Sequence, residues 1–123
     1  MNVKVWLLLI GSVALSSLAQ LLLKLGLRGA GRLELSPAGL AALALRVVTN
    51  GYLLAGLAGF VVSAVFWLIV LSRVELSLAY PLVSLGYVFV LFLSHFVLGE
   101  SISAWRLGGV AAIIAGVILI GRS

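Results

Sequence analysis

The sequence predicts an all-α membrane protein with four transmembrane helices and a short extra helix between the first and second spans. Three observations carry that expectation. The 123 residues are 64% hydrophobic and 9% charged, with a mean hydropathy of +1.36, far too apolar for an ordinary water-soluble domain. Apolar residues gather in runs of about twenty, and at ~1.5 Å rise per residue such a helix covers a ~30 Å hydrocarbon core. Within those runs the polar residues recur at helical spacing, along one side.

Charge and cysteine content narrow the chemistry. The net charge of +5 comes from eight basic residues against three acids. The cations are dispersed among apolar segments, without the basic stripe or aromatic platform that nucleic acid requires, so no nucleic-acid partner is expected. They read as topology determinants and phosphate contacts. The absence of cysteine excludes disulfides, thiol nucleophiles and thiolate metal sites. One histidine and three acids suit neither a buried metal cage nor a catalytic dyad, and no nucleotide loop, zinc-binding helix pair or Ser/His/acid set is readable. A non-enzyme without a cofactor is therefore expected, and transport or lipid handling is the natural class.

The first span covers about residues 3–25, with Trp6 near one end, at the level where an amphipathic ring favours the headgroup layer. Lys4, the apolar run after it and Ser17-Leu18-Ala19 imitate a cleavable secretory signal. The apolar pattern continues through that site into Leu21 to Leu25, so the segment is expected to remain as a span. Ser12, Ser16, Gln20 and Lys24 follow one another four residues apart. The serines can let helices pack closely, and Lys24 can snorkel to the interface. Gln20 is an amide well inside a span, which costs free energy without a partner. It either bonds a neighbouring helix or faces a polar cavity.

Gly26, Gly29 and Gly31 with Arg28, Arg32 and Glu34 form a turn-rich connection. Pro37 to about Thr49 is helical in pattern, with Ser36 as its cap, but too short to span. It carries Arg46, and lies in the interface or extends the second helix. The second span covers about residues 51–72. Ala55, Gly59, Ser63 and Trp67 share one of its faces, where small residues admit another backbone. Trp67 is either an interface anchor or the wall of a substrate groove. Arg73 and Glu75 make a short loop.

The third span, about residues 76–99, is expected as one continuous helix with Tyr80, Ser84, Tyr87 and Ser94 on a single stripe. His95, about a turn from its end, is either an imidazole bonded at headgroup level or a proton-coupling group. Glu100 reads as a cap for the last helix or a partner for Arg106. Ser101 and Ser103 offer cap oxygens, Trp105 and Arg106 mark the membrane edge, and the last span covers about residues 104–120. Gly108, Ala112 and Gly116 make a small-residue ladder on a helix with almost no polar side chain, so it is expected to form a dimer seam. The whole chain, 1–123, is read as a single domain.

GFVVSAVFW from Gly59 to Trp67, LSLAYPLVSLGYVFV from Leu76 to Val90, LGES from Leu98 to Ser101 and GGVAAIIAGVILIG from Gly108 to Gly121 resemble the drug/metabolite transporter superfamily, of EamA-like type. The resemblance covers nearly the whole chain and is nearest to four-helix subunits of the ArnE and ArnF type. Their first helix carries a small residue, Gln and a basic or polar residue four later, as Ala19, Gln20 and Lys24 do here. This implies a flippase subunit in the bacterial inner membrane that moves undecaprenyl-phosphate-linked aminoarabinose for envelope glycan or lipid A modification. Small multidrug resistance proteins are similar in a pattern matched by Ala79, Tyr80 and Ser84. Aligning Lys24 with the lysine that ends their first helix, however, puts Ser16 where they carry a membrane glutamate. With no other acid inside a span, proton-coupled cation export lacks its central group. A small-molecule exporter and a non-transporting scaffold for a glycan enzyme remain as alternatives.

Four short helices barely enclose a cavity. The expected path is therefore a groove shared with a second subunit, in a homodimer or a heterodimer with a similar four-helix chain, surrounded by membrane lipids. Ser16, Gln20, Tyr80, Ser84 and Tyr87 are expected to line it, and Trp67 to pack a sugar face. Lys24 with Arg28 or Arg46 meets the phosphate, and His95 is a further substrate-binding candidate.

Overall fold

The computed structural model describes residues 3–29 and 31–122, and among these the regular structure is all-helical. Helix α1 is Val3–Leu27, α2 Pro37–Thr49, α3 Gly51–Leu71, α4 Leu76–Leu82, α5 Leu85–Phe96 and α6 Ala104–Gly121. Among the described residues four segments are long and apolar enough to cross a bilayer: α1, α3, Leu76–Phe96 and α6. The short α2 lies between the first two. The boundaries follow local chemistry. Ser36 is extended and its Oγ accepts from the Gly39 N–H at 3.0 Å, with Pro37 in the first turn. Asn50 separates α2 from α3 with an extended backbone, and its Oδ1 accepts from the N–H groups of Tyr52 and Leu53 at 2.9 and 3.2 Å. The short helix is thus its own element, packed on α3 with no buried residue.

The core is the antiparallel pair of α1 and α3. Gly26 lies against Leu53, Gly56 against Ala19 and Leu23, Ser12 against Ser63, and Val5 and Leu9 join Val70 in one cluster. Along the α1–α3 pair one row on α1 is Val5, Leu9, Ser12, Ser16, Ala19, Leu23 and Gly26, and one on α3 is Leu53, Gly56, Phe60, Ser63, Trp67 and Val70, while the buried Val13 and Ser17 of α1 lie against Gly86 of α5. Both rows alternate steps of three and four. This is the 3.5-residue repeat that keeps two helices in contact along their length. In the expected α3 face, with its steps of four, Ala55 is exposed and Gly56 takes the inward place. Successive steps of four drift around the helix, whereas steps of three and four do not.

The third span is interrupted, where one continuous helix was expected. Helix α4 ends at Leu82 and α5 starts at Leu85, and the helix stops at Phe96. Pro81 has no N–H to give Ser77, and its ring crowds that carbonyl. Around it the backbone tightens to i→i−3 bonds, from Val83 to Tyr80, Ser84 to Pro81, Gly86 to Val83 and Tyr87 to Ser84, at 2.8–3.0 Å. The Ser84 hydroxyl closes on the Pro81 carbonyl at 2.6 Å.

Helix α6 packs on α4 and α5, with Val117 against the core cluster, and Val110, Ile113 and Ile120 are half-buried like it. The buried share of the most apolar window falls from 33% in α1 to 0% in α6, which makes α6 the peripheral helix. A Cβ added at Gly108, Gly109 or Gly116 would meet nothing within 4 Å. The ladder is open.

Candidate functional site

Two clefts lie along α1, on either side of its contact with Gly86 of α5. A Cβ there would sit in ordinary contact with Val13 and the Ser17 hydroxyl, at 3.5 Å, so Gly86 packs directly on α1. On one side lies a cleft of about 200 Å³ lined by α1, α3 and α4, with Ser12, Ser16, Ser63, Trp67 and Tyr80 among its walls. On the other lies a cleft of about 210 Å³ between α1 and α5, holding Gln20, Lys24, Ser94 and Glu100 among Leu21, Val90, Leu93 and Leu98.

The serines of the first cleft all donate to backbone carbonyls, Ser16 and Ser63 within their own helices and Ser12 across to α3. Ser12 donates to the Ser63 carbonyl at 3.0 Å, Ser63 to Phe60 at 2.8 Å and Ser16 to Val13 at 3.0 Å. A hydroxyl that donates inward keeps its lone pairs for a ligand, so this wall can accept hydrogen bonds. Trp67 adds an apolar face and Tyr80, 67% exposed, a phenol at the mouth.

The second cleft owes its acid to the turn after α5. Gly99 adopts φ +72°, the left-handed region that favours glycine, and folds the chain back. The Glu100 N–H then donates to the Ser94 carbonyl at 3.1 Å, and the Glu100 carbonyl lies 3.0 Å from His95 Nδ1. A carbonyl only accepts, so this contact places the ring proton on Nδ1. The His95 ring also meets Phe96 edge-on at 5.0 Å.

Of the residues expected to meet substrate, Ser16, Trp67 and Tyr80 fall in the first cleft, and Gln20 and Lys24 in the second. Ser84 and Tyr87 line neither; Ser84 is turned onto Pro81, and Tyr87 is 62% exposed on the outside. His95 holds the Glu100 turn and lies outside both clefts. Arg28 donates to the Leu98 carbonyl at 2.6 Å, and Arg46 to the carbonyls of Gly26 and Arg28 at 3.0 and 2.9 Å. Arg46 therefore closes carbonyls at the end of α1 that lack intrahelical partners, and Arg28 ties that end to the turn after α5. Lys24 and Arg28 also border a basin of about 340 Å³ beyond the end of α1. Ser12, Ser63, Ser94 and Glu100 were not among the expected site residues. Ser12 and Ser63 stand four residues from Ser16 and Trp67 on the same walls, and Ser94 shares the stripe of Tyr87, spacings that could have found them. Glu100 depends on the Gly99 turn.

Comparison with known proteins places the chain in a family. The model of the EamA-like transporter family matches residues 2–122. The chain is similar to a probable 4-amino-4-deoxy-L-arabinose-phosphoundecaprenol flippase subunit ArnE of Pseudomonas fluorescens, 39% identical over 64% of this chain and 69% of that protein. With the ArnE subunit of Pseudomonas aeruginosa it shares 44% identity over 46% of its length, and the match spans half of that relative. With a probable ArnF subunit of the same flippase in Sodalis glossinidius it shares 44% identity over 89% of this chain and 84% of the relative. No solved structure matches the chain.

Proposed function

The chain belongs to the EamA-like transporter family, and from that premise we propose that it is one subunit of a flippase for a polyprenyl-phosphate-linked amino sugar in the bacterial inner membrane. The polar head crosses while the polyprenyl chain stays in lipid. The observation that carries this reading is the α1–α5 cleft, which sets a cation, an acid, an amide and a hydroxyl among apolar walls: Lys24, Glu100, Gln20 and Ser94. The relatives' named substrate bears a phosphate and an amine on one small sugar. Lys24 suits the phosphate and Glu100 the ammonium, each by a charge-assisted hydrogen bond. Gln20 and Ser94 suit the sugar hydroxyls.

The first cleft, between α1, α3 and α4, is the next station in this reading. Its serine oxygens can accept from sugar hydroxyls, and the Trp67 face can pack a sugar ring. Passage between the clefts requires α5 to part from α1 at Gly86. The i→i−3 turn at residues 83–84 supplies a joint for that movement. Arg28 and Arg46 serve as braces for the end of α1, leaving Lys24 as the phosphate contact. His95 is a positioning residue that holds the Glu100 turn. The open ladder of α6 is the surface for a second four-helix chain, identical or similar.

The test is selectivity for the amine. In proteoliposomes, transfer of the free-amine lipid should exceed that of its N-acylated form, and Glu100→Gln should erase the difference. A preference that survives Glu100→Gln removes the acid from the site; no transfer by the chain with a partner subunit removes the flippase reading.

A further inference from the structure

A third groove, of about 450 Å³, is lined by Lys4, Leu7, Leu8, Gly11, Phe66 and Arg73, and shares no residue with the two clefts. Lys4 and Arg73 both border it, because α1 and α3 run antiparallel and bring the start of one to the end of the other. Among the described residues neither side chain has a hydrogen bond or ion pair, whereas Arg28, Arg46 and Arg106 all give their guanidinium groups to backbone carbonyls. Below the rim the walls are entirely apolar. Leu7 and Gly11 are exposed on the outer side of α1, while Ser12 and Val13 turn inward. A Cβ at Gly11 would meet nothing within 4 Å, so the groove stays open two turns below Lys4, about 10 Å at the helical rise.

We propose that this groove binds an anionic phosphodiester lipid of the bilayer, with its phosphate between Lys4 and Arg73 and one acyl chain along Leu7, Gly11 and Phe66. Two free cations above an apolar slot match a phosphate joined to a hydrocarbon chain. The lining has no hydroxyl or amide for a sugar and no acid for an amine, which separates this occupant from the amino-sugar lipid of the clefts. The proposal goes beyond the transport reading and does not rest on it.

The full chain in detergent, offered equal amounts of phosphatidylglycerol and phosphatidylcholine, is examined by native mass spectrometry. Each interfacial cation contributes about fivefold to the preference for the anionic lipid, so wild type should retain phosphatidylglycerol roughly 25-fold better. Lys4→Gln should reduce the preference about fivefold, and Lys4→Gln with Arg73→Gln should level it. Gly11→Phe keeps every charge and fills the slot; it should also lose the preference. Arg122→Gln removes a cation from the same end but outside the groove, and should leave the preference within about twofold. The proposal is overturned if the preference survives the double variant. It is equally overturned if the preference survives Gly11→Phe, which would mean diffuse surface charge, or if free glycerol phosphate displaces the lipid, which would mean that the headgroup alone binds.

Discussion

Gly56 on α3 and Gly116 on α6 sit in similar runs of glycine, alanine and branched aliphatic residues. A Cβ on Gly56 would nevertheless meet Leu23 at 2.9 Å and the Ala19 carbonyl oxygen at 3.0 Å, while one on Gly116 would meet nothing within 4 Å. In lipid, no hydrophobic force draws one helix to another; close approach and backbone bonds do. The α1–α3 seam has both, including the Ser12 bond to Ser63. The outer side of α6 has small residues alone. A small-residue row therefore marks a surface for close approach, and the three-four register with its polar bonds decides whether the same chain fills it.

Gly56→Leu should do the most damage, since the side chain would be driven into a backbone oxygen. We expect a loss of about 3 kcal/mol or the whole fold, read as thermal melting of helicity in detergent. Gly116→Leu should leave that melt within about 0.5 kcal/mol and abolish association of subunits, read by cross-linking through α6. If both variants behaved alike, the contrast between the two surfaces would fail. Arg46→Ala uncovers the carbonyls of Gly26 and Arg28 at the end of α1 and should cost about 1 kcal/mol. Ser12→Ala removes one bond from the α1–α3 seam and should cost about 0.6 kcal/mol in the same melt.

The same contrast explains what the sequence could and could not reveal. Spans and caps were legible, because run length and the Ser36-Pro37 and Ser103 signals act locally. The inward face of α3 was harder. Lipid-facing positions are as apolar as inward ones, so polarity gives little contrast and only the register separates Gly56 from Ala55. Pro81 was visible in the sequence, and its consequence was missed: the break turns Tyr80 into a cleft and leaves Tyr87 outside. Gln20 and Lys24 were readable as a polar row. Glu100 was not, because it reaches the cleft through the backward turn at Gly99 and not through helical spacing.

The most direct measurement is transfer of an amino-sugar polyprenyl phosphate between leaflets of proteoliposomes, followed with a membrane-impermeant amine reagent. With Gln20→Ala and Lys24→Ala together, transfer should slow by at least about tenfold, equivalent to ~1.4 kcal/mol, while the thermal melt stays that of wild type. Unchanged transfer by that double variant would contradict the placement of the substrate in the α1–α5 cleft.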